Sequence, residues 1–142
     1  MAHVSYDYHR SIIVYFIAKM KEFVAEKRIT RVEEDEKTKM TEFPFAFVIP
    51  RRVPIADLTV GTVEWQPSVD VVIVEKDPDV AAGRQKVLKL GWDTYDKFMA
   101  DRQMGGLGEL YPQLIEPDYE PQPEFVLHWV LVRFEVHVER TG

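Results

Sequence analysis

The sequence predicts an α+β domain, with an antiparallel sheet of about four to five strands and two main helices packed on one face. Three observations support this fold class. Two long segments have apolar residues at helical spacing, shorter segments are rich in β-branched residues, and the order is helix, strands, helix, strand. At 142 residues the chain has the usual size of one domain, so we expect a single domain over residues 1–142.

An amphipathic helix is predicted over residues 6–27. The side-chain oxygen of Ser5 or Asp7 is expected to cap its first turn. Charged residues lie off the apolar stripe, so one side of the helix should pack on the core. The stripe consists of Ile13, Phe16, Ile17, Met20, Phe23 and Val24.

The middle of the chain predicts strands at residues 29–32, 43–49 and 69–74. The third, VDVVIV, is nearly all β-branched, which is typical of a central strand covered on both faces. The acidic run at residues 33–36 lacks the spacing of a calcium loop and is expected in a solvated turn. Residues 51–67 contain two prolines and predict a projecting loop or a loose hairpin.

A second helix is predicted to begin at Asp77-Pro78 and to run to about Arg102. Aspartate accepts hydrogen bonds from free amides, and proline is tolerated at the first helical position. Arg84 stands out in the predicted inward stripe because a buried arginine needs partners, and a structural salt bridge is the preferred interpretation. The stripe comprises Val80, Ala81, Arg84, Val87, Leu88, Gly91, Trp92, Tyr95, Phe98 and Met99.

Gly105 and Gly106 are expected to stop this helix. Residues 105–124 contain three glycines and four prolines, so they predict an ordered but irregular connection. Residues 125–139 form the longest predicted strand, and alternation divides it into two faces. The first half carries apolar residues on both faces, which suits a strand that meets a neighbouring molecule or a covering loop of its own chain. One face has Val126, Val130, Val132, Phe134, Val136 and Val138, and the other begins with Leu127, Trp129 and Leu131.

The chemistry-bearing residues form no catalytic or metal-binding pattern that we recognise. The absence of cysteine excludes disulfides and thiolate chemistry. No pair of the four histidines has metal-ligand spacing, and His128 is expected at an interface and His137 at the surface. No serine lies in a nucleophile turn, and no phosphate loop is present. Glu64 and Asp70 could serve as paired carboxylates, but nothing in the sequence indicates that they meet. We therefore expect no catalytic residue, no cofactor and no metal.

Charge and hydropathy limit the classes of binding partner that we expect for the protein. Eighteen basic and twenty-four acidic residues give a formal net charge of -6, which disfavours nucleic-acid binding. The longest apolar stretch, residues 11–18, is too short to span a bilayer, so a cytoplasmic protein without a membrane partner is expected. Of the three tryptophans, Trp92 is expected in the core and Trp65 at an interface.

The element order resembles the tail terminator (tail-completion) proteins of long-tailed bacteriophages and related archaeal viruses. The segments that carry the resemblance are FPFAFVIP, VEWQPSVDVVIV, DPDVAAG, MGGLG and HWVLVRFEVHVE, and it covers most of the chain except residues 28–42. It implies a non-enzymatic virion protein that forms a ring, expected to be a homohexamer. The ring would cap the tail tube, end tube elongation and provide the interface for head-to-tail joining.

The resemblance also implies partners and a location. The partners are further copies of the chain, the tail tube protein and a head-completion or neck protein, with DNA passing through the lumen without sequence-specific binding. The location is the neck end of the virion tail, after assembly in the host cytoplasm. Contacts are expected on loops 54–65 and 105–123 and on the last strand. The interface candidates are Trp65, Gly105, Gly106, Tyr111, Leu127, Trp129 and Leu131.

Two alternatives remain open. The first is a head-completion or neck connector subunit, which a ring size other than six would favour. The second is a small-ligand-binding or enzymatic α+β domain with a pocket between the second helix and the sheet. A deep cavity with polar groups around Arg84 would favour that function.

Overall fold

A computed structural model of the chain describes residues 6–35, 42–59 and 62–141. These ranges contain two α-helices, α1 (Tyr6–Ala25) and α2 (Val80–Met99), and a short 3-10 helix at Met104–Gly106. They also contain seven β-strands. The strands are β1 (Arg31–Glu34), β2 (Phe45–Pro50), β3 (Ile55–Thr59), β4 (Thr62–Trp65), β5 (Ser68–Asp77), β6 (Glu109–Pro121) and β7 (Val126–Thr141).

The seven described strands form one sheet, in the order β1-β2-β5-β7-β4-β3, with β6 also paired to β7. Only β1 and β2 pair in parallel among these strands. β5 is central, between β2 and β7, as VDVVIV predicts. The predicted fold class is confirmed, with both helices on one face. The sheet has more strands than the four or five expected because residues 51–67 and 105–124 contribute three of them.

The hairpin formed by β3 and β4 lengthens the sheet at one end. The backbone ladder continues across the bend before β5, where the N–H of Ser68 donates to the carbonyl of Arg52 over 2.8 Å. The N–H of Val136 donates to the carbonyl of Pro67 over 2.8 Å. Because β3 and β4 pair in antiparallel orientation, the hairpin is the correct one of the two structures predicted for residues 51–67.

The main core lies between the helices and the sheet. The aromatic rings of Phe16 and Phe98 stack with their centroids 4.8 Å apart, and Phe134 of β7 lies 5.0 Å from Phe98. The predicted first helix and the alternation of the last strand are both confirmed, although α1 ends at Ala25. Ser5, one of its two candidate caps, lies outside the described residues. The acidic run begins inside β1, and its last residue, Glu36, is likewise outside them.

The inward face of α2 differs from the predicted stripe. Its buried residues are Gly83, Val87, Leu90, Gly91, Thr94 and Phe98. Val80, Ala81, Arg84 and Trp92, all expected inside, are exposed. The predicted salt bridge of a buried Arg84 was wrong, because its guanidinium lies in solvent 5.8 Å from the Tyr119 ring centroid.

Two glycines explain this rotation of α2. A methyl group on Gly83 would overlap the imidazole of His128, and one on Gly91 would lie 2.8 Å from Cγ2 of Val130. The helix therefore approaches β7 most closely through the residues that have no side chain. The predicted stripe included Gly91 but not Gly83, because an apolar periodicity gives no direction to most glycines, and the stripe was therefore partly rotated from the buried face.

The ends of α2 also differ from the prediction. The cap is Asp79, whose Oδ1 accepts a hydrogen bond from the Ala82 N–H over 2.8 Å. Asp77 lies just before it and accepts from the N–H of Asp79. The helix ends at Met99, so Gly105 and Gly106 do not stop it. They lie in the following turn with φ values of 63° and 97°, a region that favours glycine.

The irregular connection predicted for residues 105–124 was wrong, because most of it is the edge strand β6. β6 pairs with β7 along nearly its whole length. Its prolines, Pro112, Pro117 and Pro121, are compatible with a strand at the edge of a sheet, where the outward N–H groups have no partner strand.

Candidate interaction surface

The face of the sheet opposite the helices carries a second apolar cluster, and we call this face the open face. Phe45, Phe47, Ile49 and Val74 are between 2% and 8% exposed. Four partly buried side chains pack against them, and no described residue of α1 or α2 belongs to the group. The partly buried members are Phe43, Val72, Leu127 and Trp129.

Cross-strand register places three of the predicted interface residues in one row on this face. Trp129 pairs with Val74, and Leu131 pairs with Val72. Leu127 continues the row toward the start of β7. All three side chains are partly buried. The two-sided apolar pattern of β7 therefore has a structural explanation: one side faces the main core and the other belongs to the open face.

A cluster of charged residues borders the apolar residues at the end nearer the β3–β4 hairpin. Both carboxylate oxygens of Asp70 on β5 accept hydrogen bonds from Arg133 on β7, over 2.8 and 3.1 Å. Arg51, just after β2, donates its Nε–H to the same carboxylate. The Asp70 side chain is 0% exposed, whereas those of Arg51 and Arg133 are 46% and 37% exposed.

These arginines determine the charge state of Asp70. Burial by itself would raise the pKa of the Asp70 carboxyl group, but hydrogen bonds from Arg133 and Arg51, together with their positive charges, lower it below its ordinary value. Hydrogen bonding to Asp70 in turn raises the pKa of the Arg133 guanidinium. Asp70 is therefore ionised at neutral pH, and both guanidinium groups are held in place by it.

Beside this cluster lies an open pocket of about 470 Å³, which we call the arginine pocket. It is lined by Pro50, Arg51, Arg52, Ser68 and Arg133. Three arginines line the pocket, and the only acidic residue that forms ion pairs with Arg51 and Arg133 in the described ranges is the buried Asp70, so the pocket is positively charged in a protein whose net charge is -6. Planar guanidinium groups bind carboxylates and phosphates through paired hydrogen bonds. The chemistry of the pocket is that of an anion-binding site.

The opposite charge lies along β6 on the same face. Glu116, Asp118 and Glu120 pair across the strands with Leu131, Trp129 and Leu127, and all three acidic residues are exposed. Paired residues of an antiparallel sheet point to the same side. These three residues, the acid row, therefore flank the row of apolar side chains on β7.

At the far end of β7 the open face carries a histidine with two glutamates. Nε2 of His137 lies 2.7 Å from Glu135, and Nδ1 lies 3.4 Å from Glu64. The ring of Tyr111, another predicted interface residue, has its centroid 4.1 Å from that of His137. Glu64 and Asp70 do not form a carboxylate pair, because Glu64 contacts His137 and Gln66 whereas Asp70 binds Arg51 and Arg133.

The described ranges contain no group of three or more His, Asp or Glu side chains arranged to hold a metal ion. Neither helix in the described part of the chain has the length and apolar character needed to cross a membrane.

His128 is not at a surface, so its predicted interface position was wrong. The side chain is 0% exposed and lies under Gly83 of α2. Its Nε2 is 3.2 Å from the Asp77 carbonyl, and its Nδ1 is buried without a hydrogen-bond partner among the described residues. The imidazole therefore fills the contact between α2 and β7. The alternation of β7 places position 128 on the same face as Val130 and Val132, and this pattern in the sequence could have indicated that His128 is buried.

The tryptophans are distributed differently from the prediction. Trp92, expected in the core, is 54% exposed on α2. Trp65, expected at an interface, is 8% exposed and belongs to the main core, where its ring meets Tyr8 edge-on at 6.5 Å. Gly105 and Gly106, the last two interface candidates, are exposed in the turn before β6. The structure therefore brings together Leu127, Trp129 and Leu131, and it leaves the other candidates apart from them.

Comparison with known proteins assigns the chain to no family. No family model matches the sequence, and no curated protein matches it. The candidate function therefore depends on the residues of the open face and on the resemblance described above.

Proposed function

We propose that the protein is a structural subunit that assembles through its open face into a ring, and that this ring caps a viral tail tube as tail terminator proteins do. The observation that supports assembly is the open face itself. Partly buried apolar side chains of β5 and β7 lie there without a covering helix in the described residues, between an arginine pocket and an acid row.

The composition of this face favours a protein partner over a small ligand. Tryptophan and arginine are the residue types that most often dominate the binding energy of protein interfaces. Trp129 lies in a cluster of aliphatic and phenylalanine side chains, and Arg52 and Arg133 lie at the border of the same surface. An apolar centre with a polar rim is the usual arrangement of such interfaces.

The tail-terminator function is proposed from the open face together with the sequence resemblance to tail terminator proteins. In that function the ring ends elongation of the tube, presents its other side to a head-completion or neck protein, and leaves a central passage for DNA. A net charge of -6 suits a passage that does not hold DNA tightly. The work of such a protein is assembly, and it requires no catalytic residue.

The neck connector and the ligand-binding domain, the two alternative functions, would require different features of the structure. A neck connector would use the same open face, so only the number of subunits and the partner separate it from a tail terminator. A ligand-binding domain with a polar cavity around Arg84 is less favoured, because Arg84 lies on the exposed side of α2 over Tyr119.

The test is the mass of the purified protein over a concentration series, measured by light scattering, with negatively stained images of the particles. We expect a hexamer with a central hole. Trp129→Ala should weaken assembly. Trp92→Ala, on the exposed side of α2, is the matched control and should leave assembly unchanged. A strict monomer at every concentration would contradict self-assembly, and a closed ring of another size would favour the neck connector.

A further inference from the structure

We propose that the arginine pocket is a carboxylate-binding site and that its ligand is the acid row of a second copy of this chain. The inference rests on the proposed function, because it names the contact through which copies join. It specifies which side chains meet and in which direction successive subunits follow one another.

The pocket is organised before any ligand arrives. Asp70 is buried and uses both carboxylate oxygens to fix the guanidinium of Arg133, while Arg51 is held by one further hydrogen bond. The remaining N–H groups of these two arginines form no further hydrogen bond with a described residue, although the charge of Glu116 in the same copy raises the pKa of Arg133. Arg52 is exposed and has no ion pair among the described residues, so its whole guanidinium group is available. Fixed donors of this kind reduce the entropy lost on binding.

The acid row has the complementary chemistry. Asp118 and Glu120 are exposed and form no ion pair with a described residue, although Asp118 accepts a hydrogen bond from the N–H of Tyr119. Both flank apolar side chains of β7. A carboxylate that enters the pocket of a second copy therefore brings the apolar residues beside it toward that copy as well.

The positions of pocket and row determine the direction of the contact. Asp118 and Glu120 pair with residues near the start of β7, whereas Arg133 lies further along that strand, so these two carboxylates and the arginine pocket occupy different parts of the open face. Glu116, the third member of the acid row, pairs with Leu131 close to Arg133 of its own copy, so Asp118 and Glu120 are the carboxylates offered to a neighbour. Each copy can then offer its acid row to one neighbour and its pocket to another. Contacts of this head-to-tail type generate closed rings when the rotation closes.

Two other occupants are less compatible with the residues present. A nucleic-acid phosphate would have to approach a face that also carries the acid row, in a protein with net charge -6. Addition of a partner strand to the edge of β6 would meet Pro112, Pro117 and Pro121, which have no N–H to donate.

A charge-exchange experiment tests the pairing. One variant carries Arg52→Glu, and the other carries Asp118→Lys with Glu120→Lys. Each variant alone places like charges at every contact, so assembly should require at least about tenfold higher concentration than the wild type. In an equal mixture, copies of the two variants can alternate, and each contact then joins opposite charges. Mixing should therefore restore rings at the wild-type concentration.

Matched controls separate this effect from general changes of charge. Lys21→Glu, on the exposed side of α1, makes the net charge more negative, as Arg52→Glu does. Asp96→Lys, on the exposed side of α2, makes it more positive, as the double variant does, and both controls lie away from the open face. Both should assemble as the wild type does. Thermal unfolding of every variant checks that the fold is retained, since Arg52, Asp118 and Glu120 are exposed.

The outcomes distinguish this inference from the function on which it rests. A wild-type protein that stays monomeric would overturn both. Wild-type rings with unaffected charge variants would overturn the pairing alone, and so would two impaired variants that fail to rescue each other. Binding of a short DNA duplex that Arg52→Glu abolishes, with assembly unchanged, would assign the pocket to phosphate and overturn the proposal as well.

Discussion

Asp70 and Arg133 face each other across β5 and β7, and one guanidinium donates hydrogen bonds to both oxygens of the carboxylate. Arg51 approaches the same carboxylate from the end of β2, so a single buried anion connects three neighbouring strands. A buried carboxylate is stable only when such partners replace its hydration. This arrangement lies between the apolar residues of the open face and the β3–β4 hairpin.

Replacing Asp70 by asparagine should lower the free energy of unfolding by about 1–3 kcal/mol. The amide keeps the shape of the side chain but loses the charge that attracts the two arginines. The measurement is urea unfolding at a protein concentration where no assembly occurs. Asp96→Asn, on the exposed side of α2, is the control and should change stability much less. Equal losses in the two variants would contradict a special role for Asp70.

The same carboxylate predicts a dependence of stability on pH. Because the pKa of Asp70 is lower in the folded protein than in the unfolded chain, its contribution is fully present above the unfolded value of about 3.9. The contribution is lost as the pH falls through the lower, folded value. The stability difference between the wild type and Asp70→Asn should therefore shrink below about pH 4. Unfolding curves at several acidic pH values measure this, and a constant difference would speak against it.

The three tryptophans should respond differently to replacement by alanine. Trp65 is buried, so Trp65→Ala should lower the free energy of unfolding by about 3–5 kcal/mol. Trp92 is 54% exposed, and Trp92→Ala should change stability by no more than about 0.5 kcal/mol. Trp129→Ala should affect assembly more than monomer unfolding. Urea unfolding and light scattering on the same samples give both quantities, and a large stability loss for Trp92→Ala would be inconsistent with its exposure.

Gly83→Ala should destabilise the protein by about 1–3 kcal/mol, since the new methyl group overlaps the imidazole of His128. Alanine otherwise favours a helix over glycine by about 1 kcal/mol. In a His128→Ala background the overlap disappears, so the same replacement at position 83 should become neutral or stabilising. A double-mutant cycle by urea unfolding measures this coupling. Additive effects would show that the helix does not rest on His128.

Asp79→Ala should lower the free energy of unfolding by about 1 kcal/mol, because it removes the side chain that accepts from the Ala82 N–H. Asp79→Asn retains an accepting oxygen and should lose much less. Both changes are followed by urea unfolding of the monomer. If the alanine and asparagine variants were equally stable, the capping hydrogen bond would contribute nothing measurable.

The exposed edge strand illustrates why part of the fold escaped prediction. Prolines at positions 112, 117 and 121 suggested irregular structure, although an edge strand needs hydrogen-bond donors on one side only. Whether a segment lies at an edge depends on the pairing of distant strands. The same dependence applies to the arginine pocket, since Arg51, Asp70 and Arg133 come together only through the register of β2, β5 and β7.

The sequence by itself determined the α+β fold class, the amphipathic first helix and the two-faced final strand, because each of these follows from a local apolar period. It also pointed to Leu127, Trp129 and Leu131 as a separate surface. The tertiary structure alone decided which side of α2 faces the sheet and which tryptophan is buried. The orientation of α2 depends on where its backbone approaches β7 closely, at Gly83 and Gly91, and a hydrophobic pattern gives little direction at a residue without a side chain. The burial of Trp65 depends on its packing in the main core against Tyr8, from a distant segment of the chain.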